Sequence, residues 1–304
     1  MRFSVKAPAS SANLGPGFDA LGLALDLWNE VQFDRDGASE IQLVGSGAAL
    51  LNGAENLTLT AMELLAREHG RTLPPFAMTL RAEVPVARGL GSSAAAIVAG
   101  LVAANQMLEL HLSSADLFVL AARMEGHGDN VGAALYGGAI LSVPGLRDAI
   151  RLTDGPSLGL LAVVFVPEAT GATWVARGEL PQLIPHADAT FNVGTASGLA
   201  VGLMTANRQA IGAGMHDRLH EPARSRLFPH LLSLTEAARN AGAIGACLSG
   251  AGPSILALVE PEQAEHIADI FDRTAERIAV PGAARILAPA PQGAFVANSP
   301  ARMR

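Results

Sequence analysis

Pro85-Val86-Ala87-Arg88-Gly89-Leu90-Gly91-Ser92-Ser93-Ala94-Ala95-Ala96 is the stretch on which the reading of this chain turns. Ahead of it, Phe76 to Val84 alternates apolar and polar residues and predicts a strand. Behind it, Ala94 to Leu110 is Ala-rich and free of proline, with Ile97, Leu101 and Leu108 near a helical period, and predicts a helix. A strand, a glycine-serine turn and a helix start make an anion cradle. Glycines let the backbone come close, several N–H groups point one way, and the helix dipole adds partial positive charge. The chemistry that follows is a nucleotide phosphate site. No Gly-Lys-Ser/Thr follows the glycines, so the loop is not a Walker A motif. Gly89-x-Gly91-x-x-Ala94 fits the loose dinucleotide fingerprint, with Glu109 near the acidic spacing, but that fold needs a strand after the helix. Here Leu112-Ser113-Ser114-Ala115-Asp116 predicts an N-cap opening another helix, Leu117 to Glu125. On this segment alone, a plain turn capped by Ser92 or Ser93 stays open.

The chain has 304 residues, 50% of them hydrophobic, which is ample for a sizeable core and fits two domains. Its net charge of −7 argues against nucleic acid or an anionic membrane as partner. Cys247 is the single cysteine, which excludes an internal disulfide framework and suits a reducing cytoplasm. Met1 to Lys6 lacks the apolar core of a signal peptide, and uncharged Gly89 to Leu108 reads as a buried helix rather than a membrane span.

Taken in order, Phe3 to Ala7 predicts a short strand, followed by a turn-rich loop from Pro8 to Asp19 that presents Asn13 and Asp19. Leu27 to Asp34 and Glu40 to Val44 predict a hairpin across Arg35 to Ser39, and Asn56-Leu57-Thr58 opens a helix, Leu59 to Gly70. Beyond the central helices, Glu125-Gly126-His127-Gly128-Asp129-Asn130 reads as a turn carrying acids, a histidine and an amide. His127 lacks companion ligands at zinc spacing and reads as a loop histidine, whereas the hard oxygens of Glu125 suit Mg²⁺ on ATP. A domain boundary is expected between Pro144 and Pro156, dividing the chain into 1–150 and 151–304. Leu158 to Val166 predicts a buried strand, Thr173 and Arg177 share a helical face, and Phe191 to Ala213 predicts one buried helix. Another helix, Phe228 to Ala241, precedes a third glycine-rich segment, Gly245 to Ser254, which runs into a strand ending at Val259. An amphipathic helix, Pro261 to Ile278, and two short strands around Ile286 and Phe295 end the chain.

Three segments then belong together: Pro8 to Asp19 with its Ser-Ala-Asn13-Leu-Gly-Pro-Gly-Phe-Asp19 run, Pro85 to Ala94, and Leu248-Ser249-Gly250-Ala251-Gly252-Pro253. In this order and spacing they resemble the three signature motifs of the GHMP kinases. The first motif and the Glu125–Val131 turn resemble most the members that phosphorylate homoserine. The resemblance implies a two-domain α+β GHMP kinase fold, with a ribosomal-protein-like N-terminal domain, a ferredoxin-like C-terminal one and the active site between them. It implies ATP held by Pro85 to Ala95 with Asn56 near the nucleoside, and Mg²⁺ on Ser93 and Glu125. L-Homoserine would be bound by Asn13, Asp19, Asn130, Arg177 and Arg224. Asp19 would face the ammonium, the two arginines would grip the carboxylate, Asn130 would hold the hydroxyl, and Thr173 would lie close to the moving phosphoryl group. A homodimer is implied as well. Gly128 stands where proline is common in the family and Arg88 where some relatives carry lysine. The motifs also admit a kinase of another small alcohol, such as mevalonate, or a non-catalytic sensor of nucleotide and metabolite. Mevalonate has no ammonium for Asp19, and a sensor would have no use for Ser93 and Glu125.

Overall fold

The computed structural model describes residues 2–35, 40–45 and 55–297. A long hairpin starts the fold: β1, Arg2–Asn13, runs antiparallel to β2, Gly17–Asp34, from Arg2↔Asp34 to Asn13↔Gly17. The turn-rich stretch expected to loop from Pro8 is therefore mostly strand, and the turn itself is only Leu14, Gly15 and Pro16. Register shifts at Pro8/Ala9 and Ala12/Asn13 absorb the proline, and the small residues Ala9, Ser10, Ser11 and Ala12 are buried. Their lack of bulk lets this strand run beneath other loops at close range.

The expected hairpin between Leu27–Asp34 and Glu40–Val44 does not form, and its linking residues 36–39 lie outside the described residues. Strand β3, Ile41–Val44, pairs in parallel with β4, Ala77–Arg81, which itself occupies the edge of β2. Parallel pairing needs a crossover, and helix α1, Leu57–Glu68, lies between β3 and β4 in the chain. Alternation announces a strand but not its neighbour, so the sequence alone could not make this choice. Strands β5, Ala139–Leu141, and β6, Ile150–Thr153, extend the sheet from β2, and the last strand, β11, Phe295–Ala297, returns to pair with β1. A boundary at residue 150 falls at the start of β6, and β11 lies in the first sheet although it follows the second in sequence.

Helix α2, Ser92–Met107, lies against this sheet with α1, α3, Ser114–Glu125, and α4, Asp129–Tyr136. The residues from Asp129 onward, expected as a turn, thus begin a helix. Helix α3 opens with the expected cap as a full capping box between Ser113 and Asp116. Phe3, Phe33, Met62, Leu65, Ile97, Leu101 and Phe118 form the core on this side, and each is worth about 1.5–3 kcal/mol on burial.

The second sheet holds β7, Leu161–Pro167, β8, Gly245–Leu248, β9, Ile255–Val259, and β10, Gly282–Leu287, all antiparallel in the order β10-β7-β9-β8. With strands counted along the chain that order is 4-1-3-2, the ferredoxin-like arrangement expected. Leu21, Leu23 and Leu25 of the first sheet pack with Val164, Leu256 and Leu258 of the second, joining the two lobes through one core. The expected single helix over Phe191–Ala213 is two: α6, His186–Thr205, and α7, Arg208–Gly214. Left-handed Ala206 ends the first and Asn207 caps the second, accepting from the Ala210 N–H at 2.9 Å. Nor is α6 buried all round, since Val193, Val201 and Met204 are exposed. Between β7 and α6 lies α5, Thr173–Gly178, and after α7 come α8, Glu221–Arg224, and α9, His230–Asn240. Helix α10, Ala264–Arg277, joins α9 over the outer face of the second sheet.

Candidate active site

A cavity of about 470 Å³ opens between the lobes, lined by all three glycine-rich segments together with Glu125, Asn130, Thr173, Arg177 and Arg224. Its floor is the loop from Ala87 to Gly91. The carbonyls of this loop are all turned into protein. Ala87 accepts from the Gly171 N–H at 2.8 Å, Arg88 from Ser254 at 3.3 Å, Gly89 from Ser249 Oγ at 2.7 Å, and Leu90 from Ser10 at 3.1 Å. The amides are left over: none of the N–H groups from Arg88 to Ala94 finds an acceptor among the described residues. With Gly91 as a left-handed N-cap that offers no side chain, the first turn of α2 adds its own free donors. Carbonyls facing the protein and amides left toward a cavity make an anion cradle.

Glycine is required at two of these positions by space as well as by angle. A Cβ on Gly89, at φ +75°, would lie 2.2 Å from the Ser249 carbonyl oxygen, and one on Gly91, at φ +68°, would lie 2.0 Å from Ser10 Oγ. The first and third segments therefore brace the second. With its own proton on Gly89, Ser249 Oγ accepts from Ser11 Oγ at 2.8 Å, and the Gly250 N–H donates to the Ala12 carbonyl at 3.0 Å.

The Arg88 side chain turns away from the cradle. Its Nε donates to the Pro167 carbonyl at 2.7 Å, Nη1 to Val86 at 2.9 Å and Nη2 to Glu168. Its charge thus clamps the loop to the end of β7. Pro85, Ala94 and Ala95 do not line the cavity, and the Ala95 N–H is taken by Gly91 at 2.9 Å. Asn56 caps α1, its Oδ1 accepting from Leu59 at 3.1 Å, and lines the cavity beside Leu43, Leu57 and Leu80.

On the opposite wall Ser93 Oγ donates to Glu125 Oε1 at 2.6 Å, two hard oxygen donors beside the free amides. Asn130 follows at the start of α4, where its Oδ1 accepts from Ser10 Oγ at 2.8 Å, leaving Nδ2 as the group free for a ligand. Asp129, which the sequence reading passed over, is buried, and its Oδ1 takes His127 Nδ1 at 2.6 Å and the Asn130 N–H at 2.7 Å. Its other oxygen has no partner among the described residues. Burial works to lower the His127 pKa, yet the hydrogen bond and charge of Asp129, with Glu125 and Asp19 behind, hold it above its ordinary value. Asp19, His127 and Asp129 lie close enough to share a metal ion. Their oxygens are instead engaged by Arg177, His127 and the Asn130 amide, an ion-pair network complete in itself apart from Asp129 Oδ2. Asp129 and Ser10 could have been sought from the sequence only as neighbours of Asn130 and Asn13, since their roles depend on what folds against them.

Asn13, Asp19, Arg177 and Arg224 converge at the far end. Asn13 Nδ2 donates to the Gly250 carbonyl at 2.8 Å, and its Oδ1 accepts from the Asp19 N–H at 3.0 Å, holding Asp19 in a left-handed conformation at φ 57°. Arg177 forks onto Asp19, Nη1 to Oδ2 at 3.0 Å and Nη2 to Oδ1 at 2.7 Å. The residues expected to hold opposite ends of a ligand hold each other. Arg224 is 1% exposed and donates to the Ala176 carbonyl, His220 Nδ1 and the Gly250 carbonyl. His220 Nε2 donates to the Gly15 carbonyl at 2.8 Å, so Nδ1 is free to accept, and burial holds this imidazole neutral. Burial, and the nearby Arg177 charge, pull the Arg224 pKa down to about 10, which still leaves it cationic at neutral pH.

A mixed two-lobed fold with a backbone anion cradle and an acid-serine pair beside it defines a small-molecule kinase, and the family comparison agrees. The GHMP kinases N terminal domain matches residues 56–138, and the GHMP kinases C terminal matches 198–277. The chain belongs to the GHMP kinase family. Its full-length relatives carry a more particular name. A homoserine kinase of Moorella thermoacetica is 37% identical over 96% of this chain and 99% of its own. One of Desulfitobacterium hafniense is 41% identical over 86% and 89%. The crystal structure of homoserine kinase from Cytophaga hutchinsonii superposes with a TM-score of 0.86 at 32% identity, covering 97% of both chains.

Proposed function

We propose that this protein transfers the terminal phosphoryl group of ATP to the side-chain hydroxyl of L-homoserine, giving O-phospho-L-homoserine and ADP, a step of threonine biosynthesis. The observation that carries the reading is the loop of Arg88 to Ala94, whose amides lack acceptors among the described residues while its carbonyls are filled. Phosphoryl transfer passes through a loose transition state with charge spread over oxygens, so positioned donors supply most of the rate. The amides of the cradle hold the phosphates, and the apolar end near Asn56 takes the nucleoside. Mg²⁺ fits Ser93 Oγ and Glu125, two adjacent hard oxygens with room left for water and phosphate, and when bound it would neutralise phosphate charge.

Asn130 Nδ2 orients the acceptor hydroxyl, because Ser10 has taken the amide oxygen. Thr173 lies on the cavity wall by the transferring group, and Arg177 stabilises charge there and on the substrate carboxylate together with Arg224. Asp19, steadied by Asn13, takes the ammonium. No carboxylate is assigned as base, and the hydroxyl proton leaves late. In the same reading residues 1–150 form the nucleotide half and 151–304 the second half. The protein is cytoplasmic and homodimeric, to be checked by cell fractionation and light scattering. No helix among the described residues is long and apolar enough to cross a membrane.

The test is ADP release with ATP and Mg²⁺ across homoserine, mevalonate and a sugar. Homoserine should exceed the others in kcat/KM, and a chain that prefers mevalonate or the sugar refutes the assignment.

A further inference from the structure

The Asp19–Arg177 pair is built as a substitute for a ligand. Each partner gives both of its polar edges to the other, at 2.7 and 3.0 Å, across the gap between the lobes. The two ends differ in how firmly they are held. Asp19 sits on the braced hairpin, its backbone locked to Asn13. Arg177 rides on α5, six residues of which only Ala176 is buried, while its neighbour Trp174 is 79% exposed. Arg177 and Arg224 both face the Phe18 ring, at 5.6 and 5.3 Å from its centre. Two arginines thus share this end with Asp19, with the Asp129 carboxylate and His127 close behind it, and Arg224 is fixed in place.

We infer that this ion pair mimics an α-amino-acid zwitterion. A ligand enters by opening the pair, its ammonium replacing Arg177 on Asp19 and its carboxylate replacing Asp19 on Arg177, with α5 shifting to admit it. The inference rests on the homoserine reading for its substrate, but the opening of the pair is a separate matter. A zwitterion adds no net charge and restores both contacts that it breaks. An alcohol with a carboxylate alone would have to strand Asp19, and one with an ammonium alone would strand Arg177. The exposure of both side chains, 38% and 34%, keeps the pair cheap to open for a ligand that satisfies both sides. The built-in pair is therefore a filter for doubly charged substrates.

The experiment compares homoserine with 4-hydroxybutyrate, which lacks the ammonium, and 3-aminopropan-1-ol, which lacks the carboxylate. Wild type should favour homoserine over either by at least about 100-fold in kcat/KM, two charge-assisted contacts at stake. Asp19→Asn frees Arg177. It should lose at least about tenfold on homoserine yet gain on 4-hydroxybutyrate, since the cation no longer has to be pulled from its partner. A fall by one common factor on both substrates overturns the inference. Arg177→Gln is the mirror variant and should bind 3-aminopropan-1-ol more tightly by calorimetry; weaker or unchanged binding counts against the pair.

A readout apart from turnover uses Trp174 emission in a Trp28→Phe background. Homoserine without ATP should give a saturable change that neither single-charge analogue gives, whereas the same response to all three, or to none, overturns the inference. Should wild type phosphorylate no homoserine, the substrate assignment falls, and this titration with α-amino acids still decides the pair.

Discussion

Gly89→Ala places a methyl group where the lobes touch. Its Cβ would meet the Ser249 carbonyl oxygen at 2.2 Å, the Gly252 carbonyl oxygen at 2.9 Å and the Gly252 nitrogen at 3.0 Å. All three are backbone atoms, so no change of rotamer relieves the contact. Ordinary contact begins at 3.4 Å, and the loop must back away by about 1.2 Å to reach it. That retreat breaks the Ser249 Oγ bond to Gly89 and the Ser254 bond to Arg88, each worth about 1 kcal/mol. Holding alanine at φ +75° adds roughly 1 kcal/mol more. The total of about 3 kcal/mol, expressed in the active geometry, is about 100-fold in kcat/KM for ATP. Steady-state kinetics against ATP at saturating homoserine read this directly, alongside a thermal melt. Gly70→Ala is the control: at φ +62° with nothing within 4 Å it carries the backbone strain and no collision. It should lose about 1 kcal/mol of stability with ATP kinetics unmoved. If Gly89→Ala keeps kcat/KM for ATP within about twofold of wild type, the amides of this loop do not grip the phosphates.

Ser93→Ala should lower kcat by about 10- to 100-fold and raise the Mg²⁺ needed for half-maximal rate, with little change in melting temperature; an unchanged Mg²⁺ titration speaks against the ligand role. Arg224→Ala leaves buried His220 Nδ1 without its donor, so stability should fall by about 1–3 kcal/mol and homoserine KM should rise far more than ATP KM. Equal shifts in both KM values would remove Arg224 from the carboxylate site. Glu221 is half-buried, its Oε1 accepting from the Leu248 N–H at 2.6 Å, and desolvation pushes its carboxyl up to about 7 from 4.5. Its folded pKa is the raised one, so the folded state holds a proton that the unfolded state has lost between those values. Stability from this group is complete below pH 4.5 and declines as pH rises to about 7, by roughly 3 kcal/mol in all. Glu221→Gln should flatten the melting temperature across that window, and an unaltered slope measured by calorimetry would assign the pH dependence to other groups.

Residues 85 to 96 carry most of what local chemistry makes legible in the sequence. The glycines, the serines and the alanine run each have one comfortable local structure, and together they specify strand, turn and helix start. Asn13, Asp19, Ser93, Glu125, Asn130, Thr173, Arg177 and Arg224 were legible as a set only through the resemblance of three motifs, and the fold brings all eight to one cavity. Local chemistry also marked the capping box at Ser113 and the Asn56 cap, because a cap satisfies amides within its own turn. The pairing of β3 with β4, the return of β11 to β1 and the break in the helix at Ala206 were not local matters. Partner choice between strands depends on which hydrophobic faces meet, and a strand's own alternation is the same beside any neighbour. So it is with the charges. Sequence alone offered Asp19 and Arg177 as two ends of a ligand site, but only the closing of two lobes could set them 2.7 Å apart and join them to each other. Opposite charges left facing across a gap between lobes find the nearest counter-ion, and which one is nearest is a property of the folded chain.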